Sequence, residues 1–294
     1  MKLLSFGEIV WDIYKDEKTL GGAPLNLAAH ASLQGCDSWL LSSVGKDTLG
    51  EESLSLISNL GIHTDLITSN EIRPTGRCIV SLDQNGLPTY HLSEEMACDE
   101  IRIPEQASLS YDVLAFGSLA LRSDHNRKTI NQLLGQKRFS EVYTDLNIRP
   151  PFYSKETVAF CLSHATIAKV SDEELPLITN LIYGTEWDIP TAAQRISVDH
   201  PQIRLLLITQ GAEGATCYDC QRKHLESCPA EQAEVVSTVG AGDSFGATFL
   251  TQYLQSGDIA GALSLAAKIS AFVVSKKEAI PPDTLEFLKT ISFK

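Results

Sequence analysis

The chain of 294 residues is 43% hydrophobic and 21% charged, with a mean hydropathy of -0.03, and this composition excludes a disordered chain. No apolar run approaches the ~18 residues of a membrane-spanning helix, and the first segment, which Glu8 and Asp12 interrupt, is expected to be a strand instead of a signal peptide. The net charge of -13 is spread without a basic cluster, so we expect no nucleic-acid or membrane partner, and seven scattered cysteines indicate reduced thiols and a cytoplasmic location.

Strand-like and helix-like segments alternate along most of the chain. The predicted strands cover residues 3–13, 38–45, 112–121, 141–148, 165–171 and 203–211. The predicted helices between them cover residues 24–35, 49–61, 125–138, 154–165 and 172–184. Nearly continuous apolar strands that alternate with helices are typical of an α/β fold, in which helices cover both faces of a parallel sheet.

Two predicted hairpins break this alternation. Residues 75–93 contain two strand-like runs around Asn85-Gly86, a pair that favours a type I′ turn, so we expect an antiparallel flap inserted into the α/β domain. Residues 215–228 predict a second hairpin. The chain then continues in three helical segments at 243–257, 258–279 and 282–290.

The second hairpin carries a cluster of possible zinc ligands. Cys217, Cys220, His224 and Cys228 follow the pattern C-x2-C-x3-H-x3-C, and thiolates with an imidazole are suitable ligands for zinc. These gaps are shorter than those of usual structural zinc sites. Alternate residues of a strand also face opposite sides, which separates Cys217 from Cys220. The sequence therefore favours thiols scattered on a hairpin over a zinc site.

A glycine-rich turn precedes the first of the three last helices, in "STVGAGDSFGATFL" at 237–250. Gly240 and Gly242 can adopt backbone angles that other residues avoid, and successive amides that enter a helix point their N–H groups at an anion. The spacing matches neither a Walker loop nor a dinucleotide loop. Asp243, in the first helical turn, is expected either to stabilise the helix dipole or to act in the chemistry.

A similar arrangement stands near the start of the chain. In "GGAPLNLAAHASLQG", paired glycines that include Gly22 precede a helix, Asn26 lies on its first turns, and Asp12 ends the preceding strand. A carboxylate, an amide and exposed backbone N–H groups suit the hydroxyls of a polyol better than phosphates. The alternative role for Asn26 is a local helix cap.

These two segments together resemble the two signatures of the ribokinase-like (PfkB) carbohydrate kinases, and the resemblance runs the full length of the chain. "TDLNIRPP" at 144–151 is similar to the D-x-N-x-R segment of the family, "KVSDEE" at 169–174 to its N-x-x-E motif, and "TQGAEG" at 209–214 to its T-x-G-x-x-G nucleotide loop. Within the family, "GEIVWD", "GGAPLN", "FGSLAL" and "DLNIRPP" look most like the fructokinases.

The resemblance implies a ribokinase-like three-layer fold with a central mostly parallel sheet and a small antiparallel β lid. It implies a single kinase domain over 1–294, whose lid, formed by roughly 13–20 and 73–98, covers the sugar and pairs with a second subunit in a homodimer. The implied reaction is transfer of the γ-phosphoryl group of ATP, with Mg²⁺, to a primary hydroxyl, with C6 of fructose as the expected acceptor. Ribose and 2-keto-3-deoxygluconate are alternative sugars, and a catalytically silent sugar or nucleotide sensor is an alternative of another class.

The resemblance also assigns roles to individual residues. Asp243 would be the base that accepts the proton of the attacking hydroxyl, with the amides of Gly240, Ala241 and Gly242 as the anion hole. The sugar would be held by Asp12, Gly22 and Asn26. ATP would be bound by Lys169, Ser171, Thr209, Gly211, Gly214, Asn147 and Arg149, although Lys169 is also compatible with a solvated strand end. Glu174 would hold Mg²⁺ through water.

Four residues depart from the family pattern. Ser237 stands where the family has the first Asp of D-T-x-G-A-G-D, and Ser171 where it has the Asn of N-x-x-E. Ala267 replaces an Asn near the adenine, and Glu278 replaces a Gly before Ala279. Since the lost Asp contributes to a K⁺ site in many relatives, we expect weak K⁺ dependence. Glu278 follows two lysines in a polar run and is expected to be solvated.

Overall fold

A computed structural model describes residues 1–82, 88–105, 107, 110–136 and 139–291 of the chain. Its strands are β1 (Lys2–Phe6), β2 (Val10–Ile13), β3 (Lys18–Gly21), β4 (Asp37–Gly45), β5 (Ile62–His63), β6 (Ile67–Asn70), β7 (Gly76–Leu82), β8 (Pro88–Leu92), β9 (Val113–Gly117), β10 (Glu141–Asp145), β11 (Ile167–Ser171), β12 (Leu205–Thr209), β13 (Ala215–Asp219) and β14 (His224–Cys228). Its helices are α1 (Ala23–Leu33), α2 (Thr48–Asn59), α3 (Asp124–Gly135), α4 (Lys155–His164), α5 (Glu174–Tyr183), α6 (Ile189–Asp199), α7 (Ala241–Ser256), α8 (Ile259–Val274) and α9 (Thr284–Thr290).

The central sheet has the strand order β14-β13-β12-β11-β10-β9-β1-β4-β5, with β6 also paired to β4. All pairs from β12 to β5 are parallel, and the hairpin of β13 and β14 adds two antiparallel pairs at one edge. The strands are buried on both faces: α3, α4, α5 and α6 cover one face, and α1, α7 and α8 cover the other. This confirms the predicted α/β fold with a mostly parallel sheet.

A small four-stranded sheet lies apart from the central one, in the order β3-β2-β7-β8. The pairs β2–β3 and β7–β8 are antiparallel, whereas β2 and β7 run parallel. The strands of the predicted flap hairpin are therefore present, and the turn expected at Asn85-Gly86 lies outside the described residues.

The first predicted strand, 3–13, is in fact two strands that belong to different sheets. The chain breaks at Gly7, whose φ of +150 suits glycine and whose added Cβ would lie 2.4 Å from Cγ of Pro24. The break sends β1 into the central sheet and β2 into the small one. Apolar residues recur on both sides of Gly7, and this pattern concealed the division into two strands.

Helix α6 was not predicted. Its Asp188 cap accepts a hydrogen bond from the amide of Thr191 at 3.0 Å, and Ala192, Ala193 and Ile196 are buried on one face. An N-cap followed by buried residues at helical spacing is a signal that was present in the sequence.

The cysteine hairpin forms as predicted, with Cys217 paired in register with Glu226. Cys217 is buried under α7 and α8, and burial raises the pKa of its thiol well above the ordinary range, while Cys220 lies half-buried at the turn. In the described ranges no group of three or more His, Cys, Asp and Glu side chains could hold a metal ion. No helix among them is long and apolar enough to cross a membrane.

Candidate active site

The N-termini of α1 and α7 lie side by side at the carboxyl edge of the central sheet, and each begins at a glycine. Gly22 caps α1 with φ +123, and a Cβ there would lie 2.4 Å from the carbonyl oxygen of Glu8. Gly240 caps α7 with φ +79, and a Cβ there would lie 2.6 Å from Cβ of Ala279. Both conformation and lack of space require glycine at these two turns.

One hydrogen bond joins the two glycine motifs. Nδ2 of Asn26 donates to Oδ2 of Asp243 at 2.8 Å, across a sequence separation of 217 residues. Asn26 is buried and its Oδ1 has no partner among the described residues, whereas Asp243 is half-buried. Asn26 therefore does not act as the local cap of α1. Its amide instead holds one oxygen of the carboxylate and leaves the other free of that contact.

A cleft opens beside this pair. It is lined by Ser5, Glu8, Ala23, Pro24, Leu27, Ala115, Phe116, Gly117, Ser118, Leu119, Tyr143, Asp145, Asn147 and Asp243. The carboxylates of Glu8, Asp145 and Asp243 therefore share one cavity. None of the described residues that line it is a lysine or an arginine, so the cleft suits uncharged hydroxyl groups better than an anion.

Glu8 was not among the predicted site residues. It follows β1 and is 5% exposed, and its Oε1 accepts a hydrogen bond from the amide of Ala23 at 3.2 Å. Burial raises the pKa of the Glu8 carboxyl to about 7; the nearby Asp243 adds to the rise, and hydrogen bonds from backbone amides oppose it. An acidic residue directly after a buried parallel strand was the available signal, since such positions face the ligand edge of the sheet.

A buried ion pair lies beneath the first turn of α7. Nζ of Lys169 donates to Oδ2 of Asp145 at 2.8 Å, and both side chains are at most one-tenth exposed. Burial raises the pKa of Asp145 to about 6, against the opposing effect of Lys169. Burial lowers the pKa of Lys169, but the negative charges of Asp145, Glu174 and Asp243 raise it by more than that, so the net shift is upward. Lys169 is therefore not a solvated strand end.

The position of Lys169 explains the glycine spacing of α7. A Cβ on Gly242 would lie 3.4 Å from Nζ of Lys169, and a Cβ on Gly246 would lie 2.2 Å from the hydroxyl oxygen of Tyr143 and 3.3 Å from Cδ of Lys169. Gly242 and Gly246, four residues apart, face the sheet together. The G-x-G-x-x-x-G pattern thus lets α7 approach β10 and β11 closely enough to place the ammonium group under the turn of residues 240–242, here called the anion turn.

Glu174 forms hydrogen bonds to two of the loops that are predicted to bind ATP. Its carboxylate accepts hydrogen bonds from the amide of Ile148 and, at 2.8 Å, from the amide of Ser171, whose hydroxyl accepts the amide of Glu174 at 3.1 Å. Each carboxylate oxygen keeps a lone pair, so the group fits a hydrated Mg²⁺ as well as the loops. Ser171 serves as a helix cap here, a role that a short hydroxyl performs as well as an asparagine.

The nucleotide-loop residues lie next to this junction. Thr209 ends β12 and pairs in parallel register with Ser171. Gly211 and Gly214 follow with φ +50 and +111, and a Cβ on Gly214 would lie 2.1 Å from the carbonyl oxygen of Cys228. The structure therefore brings Thr209, Gly211 and Gly214 to the same edge as Ser171 and Glu174.

Arg149 is placed nearer to the sugar residues than the sequence suggested. The side chain of Arg149 is exposed. Burial raises the pKa of Asp12, and the positive charge of Arg149 opposes that rise. The same charge also lowers the pKa of Glu8. The carboxylate of Asp12 also accepts a hydrogen bond from the thiol of Cys78, its register partner on β7. Asn147 lines the cleft with φ +38, a left-handed conformation that asparagine tolerates.

The other residues that depart from the family pattern are Ser237, Glu278 and Ala267. The hydroxyl of Ser237 accepts a hydrogen bond from the amide of Val239 at 3.2 Å, and its own amide donates to the carbonyl of Val274. Glu278 is exposed, as predicted, and Ala267 is buried on α8. The side chain of Ser237 thus forms its hydrogen bond within its own turn.

Comparison with known proteins gives a consistent result. The sequence matches the family model for pfkB family carbohydrate kinases over residues 2–285. It is 25% identical to probable fructokinase-5 of Arabidopsis thaliana over 95% of this chain and 93% of that protein. It is 26% identical to the fructokinase of Solanum tuberosum over 95% of this chain and 91% of that protein.

Solved structures agree on the fold. An uncharacterized sugar kinase of Pyrococcus horikoshii in complex with ATP aligns with a TM-score of 0.80 and 26% identity, over 98% of this chain and 97% of that one. The fructokinase of Xylella fastidiosa with bound ATP aligns with a TM-score of 0.86 and 22% identity, over 98% of both chains.

Proposed function

Since the chain belongs to the pfkB family of carbohydrate kinases, we propose that it transfers the γ-phosphoryl group of ATP to C6 of fructose, giving fructose 6-phosphate. The observation that carries this proposal is the hydrogen bond between Asn26 and Asp243. It joins the motif assigned to the sugar with the motif assigned to phosphoryl transfer, beside a cleft that Asp243 lines.

This geometry supports the following roles for the reacting groups. An ionised Asp243 accepts the proton of the attacking hydroxyl and orients it, since the nucleophile loses its proton late in a loose transition state. The amides of Gly240, Ala241 and Gly242, at the N-terminus of α7, face the charge that develops on the phosphoryl group. The buried ammonium of Lys169 beneath that turn adds positive potential without losing energy to solvent reorganisation.

The ATP phosphates would lie between the anion turn and the loops of Ser171, Thr209 and Gly211. Val235 and Val236, which are 65% and 59% exposed on the segment before the turn, offer an apolar surface to the adenine. Glu174 would hold Mg²⁺ through water, and the ion would neutralise charge on the β- and γ-phosphates. We further propose one kinase domain over 1–294, with the small sheet as a lid that pairs with a second copy.

Fructose is favoured over other acceptors by two features. The curated fructokinases match nearly the whole chain at about one-quarter identity, and the cleft lining, with carboxylates and an amide, favours a neutral sugar over an acidic one. Ribose and 2-keto-3-deoxygluconate are the alternative acceptors, and Arg149 beside Asp12 is the group through which an acidic sugar would bind. A cytoplasmic location stays a prediction of the sequence.

The test is ADP release with ATP, Mg²⁺ and a panel of these three sugars, with Asp243→Asn as the variant. Loss of a general base lowers kcat by roughly 10²-fold or more, with sugar KM little changed. Asp258→Asn is the matched control, since Asp258 is an exposed N-cap of the neighbouring helix α8.

Three outcomes would contradict parts of the proposal. Near-wild-type turnover of Asp243→Asn would return Asp243 to the role of a carboxylate that stabilises the helix. A higher kcat/KM for ribose or 2-keto-3-deoxygluconate than for fructose would overturn the assigned sugar. Binding of sugar or ATP without turnover would favour the silent sensor.

A further inference from the structure

A buried histidine on α1 holds a carbonyl group behind the anion turn. His30 is 1% exposed, and its Nε2 lies 2.8 Å from the carbonyl oxygen of Ala279. A carbonyl oxygen only accepts hydrogen bonds, so Nε2 must carry the proton. Nδ1 is buried and has no partner among the described residues. The geometry thus selects the neutral Nε2–H tautomer.

The environment of His30 keeps the imidazole neutral. Burial lowers its pKa, while the bond to Ala279 and the charge of Asp243 oppose that shift. An imidazolium would carry a second N–H group, on Nδ1, and the described residues offer it no acceptor.

The carbonyl that His30 holds packs directly on the first residue of the anion turn. A Cβ on Gly240 would lie 2.6 Å from Cβ, 2.8 Å from Cα and 2.9 Å from the carbonyl oxygen of Ala279. Ala279 itself is buried, on the segment between α8 and α9. Any shift of Ala279 therefore reaches Gly240 without an intervening side chain.

The same face of α1 contacts the base. Asn26 and His30 are four residues apart, so they lie above one another on one side of the helix. Asn26 donates to Asp243, and His30 donates to the residue behind Gly240. Helix α1 thus holds both the carboxylate and the backbone turn between which the phosphoryl group would pass.

We propose that His30 is a positioning residue for phosphoryl transfer, which holds Ala279 against Gly240 and so fixes the anion-turn amides relative to Asp243. This role rests on the proposed function of the turn and of Asp243. Donors that stabilise a transition state act only at short range and in fixed directions, so a small displacement of the turn reduces kcat while the bound sugar keeps its contacts.

The test compares His30→Leu with His30→Gln. Leucine fills the space without a donor, and we expect kcat to fall by about 10- to 100-fold, with sugar and ATP KM within about twofold of wild type. Glutamine can place a donor N–H near the position of Nε2 and should recover most of the lost kcat. Failure of His30→Gln to recover it, or an unchanged kcat in His30→Leu, would overturn the role.

Gln34→Leu is the matched control for stability. Gln34 caps the C-terminus of α1, one turn beyond His30, and its Nε2 donates at 3.0 Å to Oγ1 of Thr248 on α7 and to the backbone carbonyl of His30, both away from the anion turn. Its loss should lower the resistance to urea much as His30→Leu does, without an effect on kcat. An equal loss of kcat in both variants would show that general weakening of the α1–α7 contact is responsible, and would overturn the specific role of His30.

A second measurement needs no substitution and no activity. In ¹⁵N NMR of the wild-type side chains, His30 should show a protonated Nε2 and a bare Nδ1 at pH 7. An Nδ1–H tautomer or an imidazolium would overturn the proposal even if His30→Leu fails to fold. If wild-type protein turns over no sugar, the proposed function fails and this role with it. If wild type is active and His30→Leu matches it, only this inference fails.

Discussion

Glu8→Gln should remove a strong pH dependence from the free energy of unfolding. Glu8 is buried at the edge of the cleft, and burial raises the pKa of its carboxyl from 4.5 to about 7. In the unfolded chain the group ionises near 4.5, so the native state retains a proton that the unfolded state has lost. Between these two values stability falls as pH rises, because the unfolded state binds fewer protons.

The size of this effect follows from the two pKa values. A difference of about 2.5 units corresponds to about 3 kcal/mol, fully present as a penalty above pH 7 and absent below about pH 4.5. About 2 kcal/mol of it falls between pH 5.5 and pH 8.5, a range that stays above the pI of about 5.0. The amide oxygen of the substituted glutamine would still accept a hydrogen bond from the amide of Ala23, so that contact persists while the titration disappears.

The assay is urea unfolding at several pH values across that range, with wild type, Glu8→Gln and Glu71→Gln. The stability of Glu8→Gln relative to wild type should increase by about 2 kcal/mol from pH 5.5 to pH 8.5. Glu71 is an exposed carboxylate paired with Lys46, and such pairs contribute less than about 1 kcal/mol, so its variant should follow wild type. Parallel curves for wild type and Glu8→Gln would refute the reasoning.

Three further predictions concern the anion turn and its support. Gly246→Ala should cost about 1–3 kcal/mol, since the new Cβ would lie 2.2 Å from the hydroxyl oxygen of Tyr143, and urea unfolding would measure the loss. Lys169→Met should cost about 3–5 kcal/mol in the same assay, because it leaves the buried carboxylate of Asp145 without its cation, and Asp145→Asn in that background should recover part of the loss. Turnover should change little when Na⁺ replaces K⁺ at constant ionic strength, and Ser237→Asp should gain K⁺ dependence, because a carboxylate binds a cation more strongly than a hydroxyl does.

The two stability predictions each have a matched control. Gly135→Ala, at the exposed end of α3, meets no atom of the described residues within 4 Å and should be neutral or stabilise by about 0.5–1 kcal/mol. Lys46→Met breaks only an exposed ion pair and should cost less than about 1 kcal/mol. A cost at Gly246 or Lys169 no larger than these, or strong K⁺ activation of the unmodified enzyme at fixed Mg²⁺ and ATP, would contradict the respective prediction.

Local patterns in the sequence were sufficient for much of the fold. Apolar runs alternating with helical periodicity predicted the parallel sheet and its two covering layers, since burial on both faces leaves few polar positions in a strand. The glycines at 22 and 240 were correctly expected at turns before helices, and both adopt positive φ. The same local reasoning missed the break at Gly7, where apolar residues continue on both sides of the boundary. It also missed helix α6, although the N-cap at Asp188 and the helical spacing of its buried residues were available in the sequence.

The sequence also placed the chemically important residues at loop positions, because the carboxyl ends of parallel strands always meet at one edge. It could not say which side chains touch there. Lys169 was compatible with solvent or with phosphate, and the structure instead pairs it with Asp145 under α7. Glu8 was seen only as a charge that interrupts the first segment, and its shifted pKa depends on neighbours that the fold supplies.

The amino-acid sequence by itself determined most of the elements, the glycine turns and the family, because propensity, periodicity and motif spacing act over a few residues at a time. Tertiary structure alone decided that Asn26 holds Asp243 and that His30 holds Ala279, across separations of 217 and 249 residues. Those contacts exist because α1 and α7 pack side by side on one face of the sheet. No local pattern encodes that arrangement, since it depends on the order in which distant strands join the sheet.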